Sequence, residues 1–131
     1  MKKPPEPATP LNNEMSDNCI FCKIARGEIP SRKVYEDDEI FAFHDINPIA
    51  PVHFLVIPKR HVPSLQDVAA SDVPLLGRMQ VLIPRLALEQ GCRPGPEGGF
   101  RLMANNGADG GQEVPHLHYH VIGGPRPWKR D

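Results

Sequence analysis

His116-Leu117-His118-Tyr119-His120-Val121-Ile122 sets three histidines at alternate positions. Successive side chains of an extended strand point to opposite faces, so His116, His118 and His120 project from one face and Leu117, Tyr119 and Val121 from the other. At about 3.3 Å of rise per residue, neighbouring imidazoles stand roughly 7 Å apart. Three groups that titrate near neutrality are costly to align on a core-facing strand without a purpose. The row has three readings. It is a solvated face of an edge strand, a set of metal ligands, or a nucleophilic site in which one imidazole attacks while its neighbours set tautomer and proton supply.

The ten residues upstream, Asn105-Asn106-Gly107-Ala108-Asp109-Gly110-Gly111-Gln112-Glu113-Val114, join flexible backbone to small polar side chains. Glycines at such a place let backbone amides approach an anion closely, as phosphate-binding nests do. A phosphate cradle next to a reactive imidazole points to phosphoryl or nucleotidyl transfer.

The rest of the chain supplies a sheet for that strand. Ile20, Phe21 and Ile24 recur at helical spacing within Cys19–Arg26, and Gly27 follows as a stop. Residues 33–36 and 39–44, separated by Asp37-Asp38, read as a hairpin. His53-Phe54-Leu55-Val56-Ile57 is a mostly apolar run between prolines and reads as a central strand. Leu75, Leu76, Met79, Leu82, Ile83 and Leu86 follow a helical stripe, with Ser71 or Asp72 as cap, Pro74 in the first turn and Gly91 at the close. Pro84 inside this stripe should kink the helix. Residues 100–105 read as another strand. The order helix, hairpin, strand, helix, strand, strand predicts an α+β domain with a mostly antiparallel sheet.

The chain has 131 residues, with 15 basic and 16 acidic side chains. Its size suits one domain, and the near-cancelling charge provides no field to recruit nucleic acid or a membrane surface. Pro4, Pro5, Pro7 and Pro10 make residues 1–17 a disordered tail before a domain at 18–131. The tail lacks the apolar core of a signal peptide and no run is long enough to span a bilayer, so a cytoplasmic protein is expected. Three cysteines, an odd number, argue against a secreted disulfide scaffold. Cys19-Ile-Phe-Cys22 is a C-x-x-C pair without a second cysteine pair. Cys92 reads as a buried thiol, and with no strand before the motif a thioredoxin-type redox role does not fit.

Gln112-Glu-Val-Pro-His-Leu-His-Tyr-His-Val-Ile-Gly-Gly124 resembles the signature of histidine-triad (HIT) proteins, and most closely their nucleotide-binding (Hint) branch. Cys19–Ile24, Gly27–Pro30, Phe43–Ile46, Ala50–Lys59 and His61 carry further marks of that branch, so the resemblance runs from about Cys19 to Trp128. It implies a five-stranded antiparallel sheet with two helices in each subunit, joined into a ten-stranded sheet across a homodimer. It also implies a purine nucleoside phosphoramidase that hydrolyses the phosphorus–nitrogen bond of AMP-amine substrates through a nucleotidyl-histidine, with no cofactor required. Carried over, His118 is the nucleophile, His116 and His120 flank it, and His53 is a fourth histidine of the site. Ile20, Phe21, Ile24, Phe43, His44 and Ile46 line the base and sugar pocket, and Asp45 meets the ribose hydroxyls, although as a plain residue Asp45 also reads as a turn cap before Asn47-Pro48. Asn105, Gln112 and the backbone of Gly111, Gln112, Glu113 and Val114 would hold phosphate oxygens.

Some relatives with this cysteine pair bind a structural zinc through it and two histidines, which map to Cys19, Cys22, His53 and His116. The apolar helix is the expected dimer surface, and Trp128 would reach the partner's pocket. Two departures stand out. Glu113 occupies a place where some members carry serine, and Pro115 one where an aromatic is common, with no amide hydrogen to offer phosphate. The resemblance leaves two rivals, a dinucleotide polyphosphate hydrolase and a zinc-stabilised nucleotide-binding scaffold. The sugar-phosphate nucleotidylyltransferases carry glutamine at the third triad position, where this chain has His120.

Overall fold

In the computed structural model, residues 18–130 are described; the expected tail at 1–17 lies outside them. The chain runs through α1 (Ile20–Ala25), β1 (Lys33–Glu36), β2 (Ile40–His44), β3 (Val52–Pro58), two 3-10 turns (Leu65–Asp67 and Ala70–Asp72), α2 (Val73–Glu89), β4 (Phe100–Met103) and β5 (Tyr119–Gly123). The five strands form one antiparallel sheet in the order β1-β2-β3-β5-β4. The expected α+β architecture of five strands and two helices is what the chain adopts. Among the described residues no helix is long and apolar enough to cross a membrane.

The period of two divides the sheet into faces. Ile40, Ala42, Phe54, Val56, Tyr119 and Val121 pack with Met79, Ile83 and Leu86 of α2 in one cluster. Phe41, Phe43, Leu55 and Ile57 pack with Phe21, Cys22 and Ile24 of α1 in the other. Because β3 is covered on both faces, all seven of its residues are buried, which explains its continuous apolar run.

Glycines end both helices as the sequence suggests. Gly91 (φ 113°) donates to Leu88 O while Cys92 donates to Ala87 O, and Gly27 (φ 82°) and Glu28 repeat the pattern onto Ile24 and Lys23. These are Schellman closures, whose left-handed residue favours glycine. α2 continues through Pro84, which removes one donor without ending the helix, and one expectation about its start changes. Asp72 takes the N-cap position, but its carboxylate accepts from the Ala69 amide and pairs with Arg60 instead of capping.

Candidate active site

The histidine row is not one continuous strand. Regular β5 begins at Tyr119, because the His116 amide turns back to Val114 O (2.8 Å) and the Leu117 amide reaches Val62 O (2.6 Å). The alternation expected across all three histidines therefore holds only locally, and the row divides into two environments. His118 and His120 face a cavity of about 1060 Å³, their ring centres 5.0 Å apart. His116, with 0% exposure, lies behind the cavity wall and does not line it. Its expected place in the catalytic wall is thus corrected to a supporting one.

Backbone carbonyls fix the tautomers. A carbonyl oxygen only accepts, so a ring nitrogen facing one must carry the hydrogen. His118 Nδ1 donates to His116 O (2.7 Å), which leaves the Nε2 lone pair of neutral His118 uncommitted. His116 is held the opposite way: Nε2 donates to Pro58 O (2.8 Å) and Nδ1 keeps the lone pair. In His53, Nδ1 accepts from the Ile49 amide (3.1 Å), so Nε2 carries hydrogen and donates to His120 Nδ1 (3.0 Å). His120 in turn carries its hydrogen on Nε2. Asp45 Oδ2 stands 3.4 Å from His53 Nε2 and 4.0 Å from His120 Nδ1.

Burial favours the neutral rings these contacts require. It pushes His120 down to about 4, aided by the nearness of His118 and His53 and opposed by Asp45. It also lowers His53, against the pull of Asp45. His118 is lowered by burial, while its bond to the His116 carbonyl and the carboxylates of Asp45 and Glu113 work in the opposite direction. The site holds a neutral imidazole with an uncommitted lone pair beside a histidine whose proton affinity an incoming anion would raise.

Most expected pocket residues meet in this cavity. Ile20, Phe21, Ile24, Phe43, His44, Asp45 and Ile46 line it, as do Asn105, Gly111, Glu113 and Val114. Phe21 sets its ring at 88° to His118, centres 5.1 Å apart, and at 72° to Phe43. Ile46, 90% exposed, sits at the rim. Asp45 Oδ1 accepts from the Asn47 amide (2.7 Å), so the residue caps its turn while facing the cavity.

Gln112 is a correction. Its Oε1 accepts from the Gly107 amide (2.8 Å), and its Nε2 donates to Pro63 O (2.7 Å) and Val114 O (2.9 Å). The side chain ties the glycine loop down and does not line the cavity. The Gly111 and Gln112 amides also donate within the turn, to the Ala108 and Gly107 carbonyls, so both are already committed there. Sequence reasoning missed Arg101 and Met103 on β4 and Arg32 after α1, all of which line the cavity.

Behind the cavity, His116 Nδ1 lies 3.2 Å from Cys19 Sγ and 3.5 Å from Cys22 Sγ, and His61 Nδ1 lies 3.4 Å from Cys22 Sγ. The four donor atoms all fall within 4.8 Å of one another. A tetrahedral zinc with bonds of about 2.0–2.3 Å sets its ligands about 3.3–3.8 Å apart, so this donor set fits one. The His116 Nε2 bond to Pro58 O is the outer contact that orients a ligating imidazole. The fourth donor is His61, where the sequence suggested His53. His53 stands with Asp45 and His120 instead, its Nε2 hydrogen already directed at His120. That hydrogen also makes the Asp45–His53–His120 group a proton network and a poor metal site.

A family model described as "Scavenger mRNA decapping enzyme C-term binding" matches residues 18–130. Protein HitA of Neisseria gonorrhoeae is 51% identical over 109 residues, 83% of this chain and 98% of that protein. The purine nucleoside phosphoramidase of Escherichia coli (strain K12) is 46% identical over 110 residues, 84% of this chain and 90% of the relative. A solved histidine triad protein from Clostridium difficile superposes with a TM-score of 0.78 at 50% identity, covering 86% of this chain and 95% of its own. With the paired histidines of its cavity, the third behind them and matches along nearly its whole described length, the chain belongs to the histidine-triad (HIT) family.

Proposed function

We propose that this protein is a purine nucleoside phosphoramidase that cleaves the phosphorus–nitrogen bond of AMP-amine substrates. One observation carries the reading: the 2.7 Å bond from His118 Nδ1 to the His116 carbonyl, which leaves a neutral ring with its Nε2 lone pair uncommitted in the cavity. The name of the Escherichia coli relative supports it.

In this mechanism the purine lies among Ile20, Phe21, Ile24 and Phe43, and the α-phosphorus stands over His118. The phosphate anion offsets the burial that depresses His120, so His120 takes a proton on Nδ1 as substrate binds. That hydrogen and the one on His53 Nε2 then both turn to Asp45 Oδ2, which stands 4.0 Å from His120 Nδ1 and 3.4 Å from His53 Nε2. His118 Nε2 forms a bond to phosphorus while the phosphorus–nitrogen bond breaks, and the amine leaves with the His120 proton. Water then attacks the nucleotidyl-histidine, its proton returns to His120, and AMP departs from neutral His118. Before substrate binds, His53 donates to His120 Nδ1 and holds that neutral ring with Nε2 toward the cavity.

The Cys19, Cys22, His61 and His116 donors would hold a structural zinc that pins α1 to the segment before β5. None of the three cysteines is in a disulfide, which suits a reducing, cytoplasmic setting. The sheet edges support a homodimer. The β1 edge carries Lys33 and Glu36, whereas β4 exposes Phe100, Leu102 and Met103 at 36–37%. An apolar open edge of this kind pairs with another strand unless charge protects it, and a second copy of β4 yields ten strands.

The substrate test compares turnover of an AMP-amine with that of diadenosine polyphosphate. The reading expects at least a hundredfold higher kcat/KM for the phosphoramidate. The reverse preference would assign the chain to the polyphosphate hydrolases.

A further inference from the structure

Cys19 and Cys22 stand close enough to serve either as paired metal ligands or as a disulfide. Both thiols are free and buried, and both meet one atom, His116 Nδ1, at 3.2 Å and 3.5 Å. The Cys22 amide donates to Cys19 Sγ at 3.3 Å, which keeps that sulfur over the first turn of α1. Residues three apart in a helical turn set their Cα atoms about 5 Å apart, inside the range of about 4.4–6.8 Å that a disulfide spans. Cys92 packs with α2 on the opposite face of the sheet, so the pair can close only on itself.

The two linkages constrain different things. A zinc on Cys19, Cys22, His61 and His116 ties α1 to the segments that follow β3 and precede β5. A Cys19–Cys22 disulfide closes within one turn of α1 and ties it to neither. At six residues α1 is too short to hold its shape without tertiary anchors. It carries Ile20, Phe21 and Ile24 to the cavity, and Phe21 stands edge-on to His118 with ring centres 5.1 Å apart. Loosening α1 therefore loosens one wall of the nucleotide pocket.

We propose that Cys19 and Cys22 are a redox switch: a peroxide converts a metal-held thiolate pair into a disulfide and so weakens nucleotide binding. Cys19, 7% exposed against 0% for Cys22, meets the oxidant first. Its sulfur attacks one peroxide oxygen, the O–O bond breaks, and a sulfenic acid forms as the first water leaves. The Cys22 sulfur then bonds to the Cys19 sulfur, the S–O bond breaks, and the second water leaves. Two electrons pass from the sulfurs to the peroxide, and two protons come from solvent. The His61 and His116 donors that remain are too few to hold the ion. Such a release switch differs from the exchange chemistry of a thioredoxin-like pair. The inference rests on the zinc and nucleotide-pocket readings above.

The test treats the full chain, as purified, with a small excess of hydrogen peroxide. Three quantities are followed: zinc freed to a colorimetric chelator, the mass of the tryptic peptide ending at Lys23, which holds both cysteines, and AMP affinity by calorimetry. One zinc should be released for each loss of two hydrogens from that peptide, with AMP binding about tenfold weaker. A thiol reductant with added zinc should restore both. Cys92→Ser should respond as the wild type does. Cys22→Ser should bind AMP at the weakened level before and after peroxide, and Cys19→Ser replaces it if that variant does not fold. Zinc retained on a peptide that stays a dithiol, oxidation confined to Cys92, or a disulfide that leaves AMP affinity unmoved would overturn the switch alone. Purified protein without zinc would overturn the metal reading with it, and reduced protein that binds no AMP would overturn the nucleotide reading with it.

Discussion

The Nδ1 of His118 lies 2.7 Å from the carbonyl oxygen of His116, so one histidine of the row sets the tautomer of the next through the backbone. The same residue, His116, turns its own ring away, with Nε2 on Pro58 O and Nδ1 toward two thiols. A single residue thereby links a candidate metal centre to a candidate nucleophile while its side chain stays out of the cavity. The division of labour follows from which carbonyl each ring meets.

The link through His53 makes a kinetic prediction. His53→Ala removes the hydrogen donated to His120 Nδ1, so His120 is no longer held with its hydrogen on Nε2. We expect kcat on an AMP-amine to fall by about tenfold to a hundredfold, below the full loss of an acid–base group, with KM changed by less than about threefold. A rise in KM at unchanged kcat would assign His53 to binding instead.

The metal centre is separable from the histidine network by substitution. Metal analysis of the purified protein should give one zinc per chain, lost in Cys22→Ser and His61→Ala and kept in His53→Ala. The zinc-free variants should melt lower by on the order of 10 °C, because binding energy lost is folding energy lost. Zinc retained in His61→Ala but lost in His53→Ala would restore the assignment the sequence suggested.

Acid should destabilise the fold through the buried rings. His116 and His120 are pushed down to about 4, chiefly by burial, from an ordinary value near 6.5. Between those values the unfolded chain binds more protons, so stability is full above about 6.5 and falls as pH drops toward 4. Each ring contributes on the order of 2 kcal/mol of that loss at pH 5. Thermal melts of chelator-treated protein from pH 7.5 to 5 should show a steady fall in Tm; a flat profile would contradict the burial of these rings.

The open β4 edge gives a test of assembly. Leu102→Glu places a charge where two copies would meet, on a strand whose other edge is already paired with β5. Light scattering should move from dimer mass to monomer mass at micromolar concentration, with the melting curve retained. A monomeric wild-type protein would refute the ten-stranded sheet.

Much of this was legible in the sequence because it depends on local rules. Gly27 and Gly91 ended their helices, the apolar run after Pro51 became the central strand, and the pocket residues from Ile20 to Ile46 gathered as expected. The misplacements arose where tertiary hydrogen bonds override a period. Val62 O captures the Leu117 amide and bends the chain before β5, so His116 leaves the cavity that His118 and His120 share. The role of His61 was hidden in the register. Continuing the antiparallel pairing of Val56 with Tyr119 outward brings His116 level with Lys59, beside His61, whereas His53 pairs with Ile122. The six residues from Lys59 back to His53 span roughly 20 Å of strand, too far for a shared ion. Gln112 was misread because its polarity suited phosphate, while the Gly107 amide and the Pro63 carbonyl claimed it first.

The central claim is that His118 Nε2 becomes bonded to phosphorus. Rapid acid-free quenching of the protein during turnover of an AMP-amine, followed by peptide mass spectrometry, measures this directly. The account predicts an adenylyl group on His118, in the peptide that also holds His116 and His120, and no adduct with turnover lowered at least a thousandfold in His118→Ala. Full turnover in that variant, or an adduct on another residue, would contradict it.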